Sequence, residues 1–220
     1  MSSQETWDAY WNAKKGSSPV HLKMVEKVHL ILKSLQGQKV LEVGAGSGID
    51  SLHLTKSFGV DPYCIEFSEQ SVQRIKYRFT CNGLQCNIVH ADLRRIPFRD
   101  ECFDVTFSSG VLEHFEKTLE VLLEQKRILR KGGVIAIGVP YTYTLHSLKK
   151  KILLFAGRWG IGWETQFTKR KLKSLIDRAG MLPCFLFLDC HPRSYLPKRL
   201  RGTWINILIN GGVVVVAQKP

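Results

Sequence analysis

The chain has 220 residues, 44% hydrophobic and 23% charged, with a formal net charge of +13 at pH 7. That length suits one domain with its decorations, and the composition excludes disorder and fibrous repeats. The N-terminus MSSQETWDAYW is polar and acidic, unlike a secretory signal, and no segment reaches the roughly 20 apolar residues of a spanning helix.

Cysteines at 64, 81, 86, 102, 184 and 190 form no CxxC pair and no cluster with histidine. Most lie in or beside apolar runs, which predicts buried, reduced structural thiols in a cytoplasmic protein, neither disulfides nor metal ligands. The charge is uneven. Residues 1–140 hold 18 Lys/Arg against 16 Asp/Glu, and residues 141–220 hold 14 against 3, so the excess belongs to the last third. A basic face there attracts an anionic substrate, nucleic acid or an acidic membrane surface, or only keeps the chain soluble.

In chain order, residues 4–15 read as a short helix carrying Trp7, Tyr10 and Trp11. A second helix opens at Ser18–Pro19 and keeps its apolar spacing through Leu35 to Gln36–Gly37. Short apolar strands then alternate with amphipathic helices. Strands are predicted at 39–43, 61–66, 86–90, 103–109 and 134–139, with helices near 48–57, 68–81 and 116–130, the last closed by Gly132–Gly133. Such alternation predicts a parallel sheet covered by helices on both faces. Beyond it come a helix at 144–156, the stretch GRWGIGWE, and a helix from Thr168 to Gly180. Strands at about 182–189 and 212–218 flank the basic loop HPRSYLPKRLRGTW and suit an antiparallel edge.

The motif VLEVGAGSGID at 40–50 puts Gly44, Gly46 and Gly48, with Ala45 among them, between a buried strand and a helix. A turn this tight needs positive φ and close backbone approach. The dinucleotide fingerprint GxGxxG is not met, because position 49 is Ile. Glu42, two residues before the first glycine, opposes a pyrophosphate and suits a ligand with an ammonium and a sulfonium, as S-adenosyl-L-methionine has. Glu66, ending the second strand, can accept from ribose hydroxyls, and Phe67 can lie on an adenine face. Asp92, after the third strand, can accept the adenine amino group beside the backbone of Leu93. These carboxylates converge at the strand ends where open α/β sheets bind ligands.

The motifs VLEVGAGSG, CIEFSEQSV, HADLRRIPF, FDVTFSSGVLEHF, LRKGGVIAIGVP and QFTKRKLKSLIDRAG together resemble the class I S-adenosylmethionine-dependent methyltransferases of the ubiquinone/menaquinone-biosynthesis type. The resemblance implies a Rossmann-like, seven-stranded, mostly parallel sheet with the last strand antiparallel. It implies an N-terminal helical lid over 1–37, a donor-binding core over 38–140 and acceptor-side helices and strands over 141–220. By the same resemblance Ser109, Gly110 and Val111 line the methionine part of the donor. Leu112, Glu113 and His114 form the floor near the methyl, and Tyr10 and Trp11 close over the cofactor.

Among these His114 is the candidate base, because imidazole titrates near neutral pH. Tyr141, Tyr143, Trp163 and Glu113 are candidate acceptor contacts. The segment SSGVLEH is not the Asn/Asp-Pro-Pro-aromatic tetrad that methylates exocyclic amines, so nucleic acid is disfavoured as acceptor. SLKKKILLFAGRWGIGW mixes lysines, aliphatics and tryptophans, which suits a small apolar or amphipathic acceptor and peripheral contact with an anionic membrane. Lys149, Lys150 and Lys151 would supply that attachment. The alternative is a catalytically silent donor-binding subunit.

Overall fold

The computed structural model describes residues 3–13, 22–156, 164–190, 207–209 and 211–220. The Ser18–Pro19 helix start, Trp159, Trp163, Trp204 and the basic loop at 191–204 lie outside the described residues. Among those described, no helix is long and apolar enough to cross a membrane.

The elements in order are α1 (Gln4–Ala13), α2 (Leu22–Leu32), β1 (Lys39–Val43), α3 (Ile49–Phe58), β2 (Asp61–Glu66), α4 (Glu69–Thr80), β3 (Asn87–His90) and β4 (Phe103–Ser109). A single 3₁₀ turn (Leu112–His114) follows, then α5 (Thr118–Ile128), β5 (Leu129–Pro140), α6 (Leu145–Phe155), α7 (Lys169–Arg178), β6 (Leu182–Cys190) and β7 (Gly211–Gln218). Hydroxyls cap three of the helices. Ser68, Thr144 and Thr168 each accept the N–H three residues on, which fixes the starts of α4, α6 and α7.

Seven strands form one sheet in the order β3-β2-β1-β4-β5-β7-β6. The strands from β3 to β5 pair in parallel, and β7 runs antiparallel to both β5 and β6. The expected seven-stranded sheet with an antiparallel last strand is therefore present, with that strand seated one place in from the edge. Alternation along β5 and β7 divides the core. Val134, Ala136, Val214 and Val216 face α2 and α3 with Val25, Val28 and Leu54. Ile135, Ile137, Val213, Val215 and Ala217 face the other way, onto Leu122 of α5 and Leu172 and Ile176 of α7. Because α2 packs on this sheet face, α1 alone of the first two helices lies over the glycine loop.

Several expectations are corrected. The helix of 116–130 ends at Ile128, and Gly132–Gly133 do not cap it. Leu129 is already extended and pairs with Phe103, so the chain passes straight from helix to strand, and the glycines sit in an irregularity of that strand. Gly132 takes a left-handed φ of 71°, and at Gly133 the reason is steric: a Cβ there would lie 2.9 Å from the Arg130 carbonyl oxygen and 3.1 Å from that of Asp104. Helix α2 stops at Leu32 rather than Gln36, with Lys33 at φ 62°. Of the described cysteines Cys64 alone is fully buried, while Cys81 and Cys184 are exposed, because they sit at a helix end and on the edge strand β6.

Gly133→Ala should therefore cost about 1–3 kcal/mol, the range for over-packing. Urea unfolding checks this, and an unchanged midpoint would mean that the strand entry relaxes freely.

Candidate cofactor and acceptor site

The chain leaves β1 through a turn in which Gly44, Gly46 and Gly48 have φ of 67°, 53° and 65°. Close neighbours make side chains doubly unwelcome. A Cβ on Gly44 would fall 2.6 Å from Val111, and one on Gly46 would fall 2.5 Å from the Trp11 ring. Gly48 starts α3 without a side-chain cap, and Glu42 supplies the cap from within the strand. Its Oε2 accepts the Ser51 N–H at 3.0 Å and the Ser51 hydroxyl at 2.6 Å. Burial first, then the neighbouring Cys64 and Asp50, hold the Glu42 pKa well above the ordinary carboxylate range. A cationic group nearby would favour its ionised form.

Glu66 ends β2, buried, and gathers three backbone donors. Oε2 accepts the Gly46 N–H at 2.6 Å, and Oε1 accepts those of Phe67 and Ser68 at 2.8 and 3.0 Å. Burial raises its pKa while these bonds oppose the rise. Two carboxylate oxygens offer about four acceptor sites, so capacity for a ligand hydroxyl remains. Phe67 is half-buried, and its carbonyl lies 2.9 Å from His90 Nε2. Asp92 stands one strand over, gripped by Arg94 through Nε at 3.0 and 3.1 Å and through its N–H at 2.9 Å. That guanidinium lowers the Asp92 pKa. Leu93 beside it is buried in the core.

Helix α1 lies across this edge. Trp11 is buried against Gly46, and Arg74 of α4 donates to the Trp11 carbonyl. The Ser68 hydroxyl donates to Asp8. Edge-to-face contacts run from Trp11 to Tyr10 at 5.2 Å, from Tyr10 to Trp7 at 5.7 Å and from Trp7 to His114 at 4.8 Å. One aromatic row thus links the glycine loop to the Leu112–His114 turn. The turn follows β4 through Ser109, Gly110 at φ 69° and Val111, and the Gly110 N–H is held by the Gly138 carbonyl at 2.9 Å.

Behind that turn lies a buried polar cluster. Glu113 is buried, its Oε1 stands 3.9 Å from His114 Nε2, and its Oε2 has no hydrogen-bond partner. Burial, then the charge of Glu164, push its pKa up to about 8. Lys150 pairs with Glu164 at 2.9 Å, and both side chains are nearly inaccessible. Lys150 is therefore no surface lysine, and the expectation that it joins Lys149 and Lys151 in an exposed basic cluster is corrected. It occupies the inward side of α6, where burial without a carboxylate partner would be costly. Tyr141 is half-buried and bridges to Phe167, while Tyr143, 66% exposed, faces outward 5.5 Å from the Tyr141 ring. Trp163 lies outside the described residues.

Residues 41–137 match the methyltransferase domain family. These residues, less than half of the chain, are similar to methyltransferase domains. The chain is 25% identical over 132 residues to the 27-O-demethylrifamycin SV methyltransferase of Amycolatopsis mediterranei, covering 59% of this chain and 48% of that protein. It is 28% identical over 133 residues to the tRNA U34 carboxymethyltransferase of Citrifermentans bemidjiense, covering 58% and 39%. The chain thus spans half or less of the length of these relatives. In fold, a methyltransferase solved with the Haloferax volcanii Trm112 methyltransferase activator superposes with TM-score 0.76 at 18% identity, covering 100% of this chain and 98% of that one. The geranyl diphosphate C-methyltransferase of Streptomyces coelicolor A3(2) gives 0.70 at 11% identity, covering 99% and 98%.

Within the matched residues, the structure brings Glu42, the glycines, Glu66, Phe67, Asp92, Leu93 and Ser109 to Val111 to the carboxyl ends of β1 to β4. Tyr10 and Trp11 arrive there from α1. Sequence reading missed Trp7, although Trp7, Tyr10 and Trp11 share one helical face at spacings of three and four. It also missed the Lys150–Glu164 pair, for which KKK carries no local signal.

Glu113 makes a pH prediction. Between about 4.5 and about 8 the folded chain keeps a proton that the unfolded chain has released, so this group's contribution to stability falls as pH rises. Glu113→Gln removes that loss and should gain on the wild type across the window, by at most about 1.4 kcal/mol per pH unit. Urea unfolding of both proteins at pH 5 to 8 measures the difference, and parallel pH curves would refute the shift.

Proposed function

We propose that the chain transfers the methyl group of S-adenosylmethionine to a small apolar or amphipathic acceptor. The observation that carries this reading is the convergence of the left-handed glycine turn, Glu66 and Asp92 on one sheet edge, beside the switch point between β1 and β4. The residues fit the donor. Gly44 and Gly46 must lack side chains, because Val111 and Trp11 sit where their Cβ atoms would fall, and Glu66 keeps acceptor capacity beside them. Gly44, Ala45, Gly46 and Gly48 would carry the methionine portion with Ser109, Gly110 and Val111. Glu42 would favour the ammonium, Glu66 would hold the ribose, and Asp92 with Leu93 and Phe67 would hold the adenine. Tyr10 and Trp11 would close over it as a lid.

Bound there, S-adenosylmethionine supplies an electrophilic methyl group on a sulfonium. The chain's own task is alignment and exclusion of water. The aromatic row of α1 covers the site, and the buried Leu112 and Glu113 floor it. His114, with an 11% exposed side chain beside Glu113, takes the acceptor's proton at a ring nitrogen. Tyr141 lines the acceptor side, with Tyr143 toward its mouth.

A small acceptor is supported by the rifamycin-type relative and by SSGVLEH in place of an amine-methylating tetrad. The relative named for tRNA U34 makes nucleic acid the competing class. The basic last third supports peripheral contact with an anionic membrane.

Calorimetric titration should give micromolar binding of S-adenosylmethionine or S-adenosylhomocysteine and far weaker binding of NAD. Equal NAD affinity would sink the donor assignment. Labelled donor should then transfer to phenolic, quinol or lipid acceptors and not to bulk tRNA. Labelling of tRNA alone would reverse the acceptor class, and binding without transfer to any would favour a silent subunit. His114→Asn should lower turnover about 100-fold or more while changing donor affinity less than twofold.

A further inference from the structure

Helix α6 is built inside out. Its inward side holds Ser147, Lys150 and the half-buried Leu153. The Ser147 hydroxyl donates to the Tyr141 carbonyl at 2.9 Å, and Lys150 donates to Glu164 at 2.9 Å. The contacts pinning the helix are therefore largely polar. Its outward side carries Leu145, Leu148, Ile152 and Phe155, which are 52%, 54%, 61% and 97% exposed. At about 100° per residue these four fall within an arc of about 80°, directly opposite the inward residues. A helix that serves only its own fold turns that stripe to the core. Four large apolar side chains in one exposed line mark a contact surface.

The charges beside the stripe decide what covers it. Lys149 and Lys151 are exposed and lie about 80° to either side of its centre. The helix LHSLKKKILLF contains no acidic residue. In the heptad that the stripe defines, these lysines take the two flanking positions. Two copies of α6 packed on each other, parallel or antiparallel, would set lysine against lysine along both borders. A second copy of the chain is disfavoured on that ground. A planar anionic surface meets both lysines favourably and takes the apolar side chains between them. The following sequence, GRWGIGW, continues the same mixture with an arginine and two tryptophans.

We propose that α6 lies in the plane of an anionic lipid surface, with Leu145, Leu148, Ile152 and Phe155 in the headgroup–acyl boundary and Lys149 and Lys151 at the headgroups. The inference rests on the reading of an apolar or amphipathic acceptor, which such a surface would hold. Lys150, on the same helix, reaches Glu164, whose charge acts on Glu113. The lipid-facing helix is thus tied directly to the floor of the acceptor side.

The test uses the full chain and two variants, Ile152→Glu and Lys149→Gln/Lys151→Gln. Each is co-sedimented with vesicles of phosphatidylcholine alone or mixed equally with phosphatidylglycerol, at low and moderate salt. The wild type should bind the anionic vesicles, less so as salt rises. Ile152→Glu should lose at least tenfold in partitioning, and the double variant about 30-fold, from about fivefold per lysine. Calorimetric S-adenosylhomocysteine affinity should stay within twofold for both variants, which shows that they fold. No binding to anionic vesicles at low salt, or equal binding by Ile152→Glu, overturns the proposal. So does a dimer in sedimentation velocity that Ile152→Glu dissolves. Loss of donor binding by the wild type would strike the methyl-transfer reading instead and leave the vesicle result to stand by itself.

Discussion

The carboxylate of Glu66 ties the glycine turn after β1 to the start of α4, reinforcing the bonds that the Ile65 carbonyl accepts from Gly44 and Ala45. One oxygen takes the N–H of Gly46 in the turn after β1, and the other takes those of Phe67 and Ser68 at the start of α4. A buried backbone N–H left without an acceptor costs about 1–3 kcal/mol, so three donors served by one side chain hold the edge of the sheet in a single arrangement. The left-handed glycine turn depends on it, and so does the seat of Trp11 on Gly46.

The second organising feature is the ionic cluster behind the Leu112–His114 turn. One lysine and two glutamates share a space with almost no solvent. Burial, then the charge of Glu164, pushes the Glu113 pKa up to about 8, and the nearby Lys150 offsets this only in part. Buried pairs of this kind contribute little net stability, so specificity of arrangement is the better account of its presence. It locks α6 and the segment entering α7 to the turn that floors the site.

Legibility in the sequence followed the range of the interactions involved. The alternation of apolar strands with helices is a local pattern, and it predicted most elements of the sheet and the antiparallel final strand pair. The glycine loop and the carboxylates after β2 and β3 were legible because each sits at a fixed offset from a strand end. Gly132–Gly133 misled because a glycine pair after a helix reads as a cap, whereas Gly132 serves a left-handed φ and Gly133 the approach of the Arg130 and Asp104 carbonyls. That clash belongs to a strand pairing 26 residues apart, Phe103 with Leu129.

By itself the sequence determined the class of fold and which residues end the strands at the carboxyl edge of β1 to β4, because turn chemistry and binary patterning act within a few residues of each other. Only the tertiary structure decided how Glu42 and Glu66 spend their oxygens, since their partners Ser51 and Gly46 are 9 and 20 residues away. It alone separated Lys150 from Lys149 and Lys151, three identical side chains in a row. Burial is a property of the helix face, and α6 presents its polar face inward because Glu164 waits there to receive a charge.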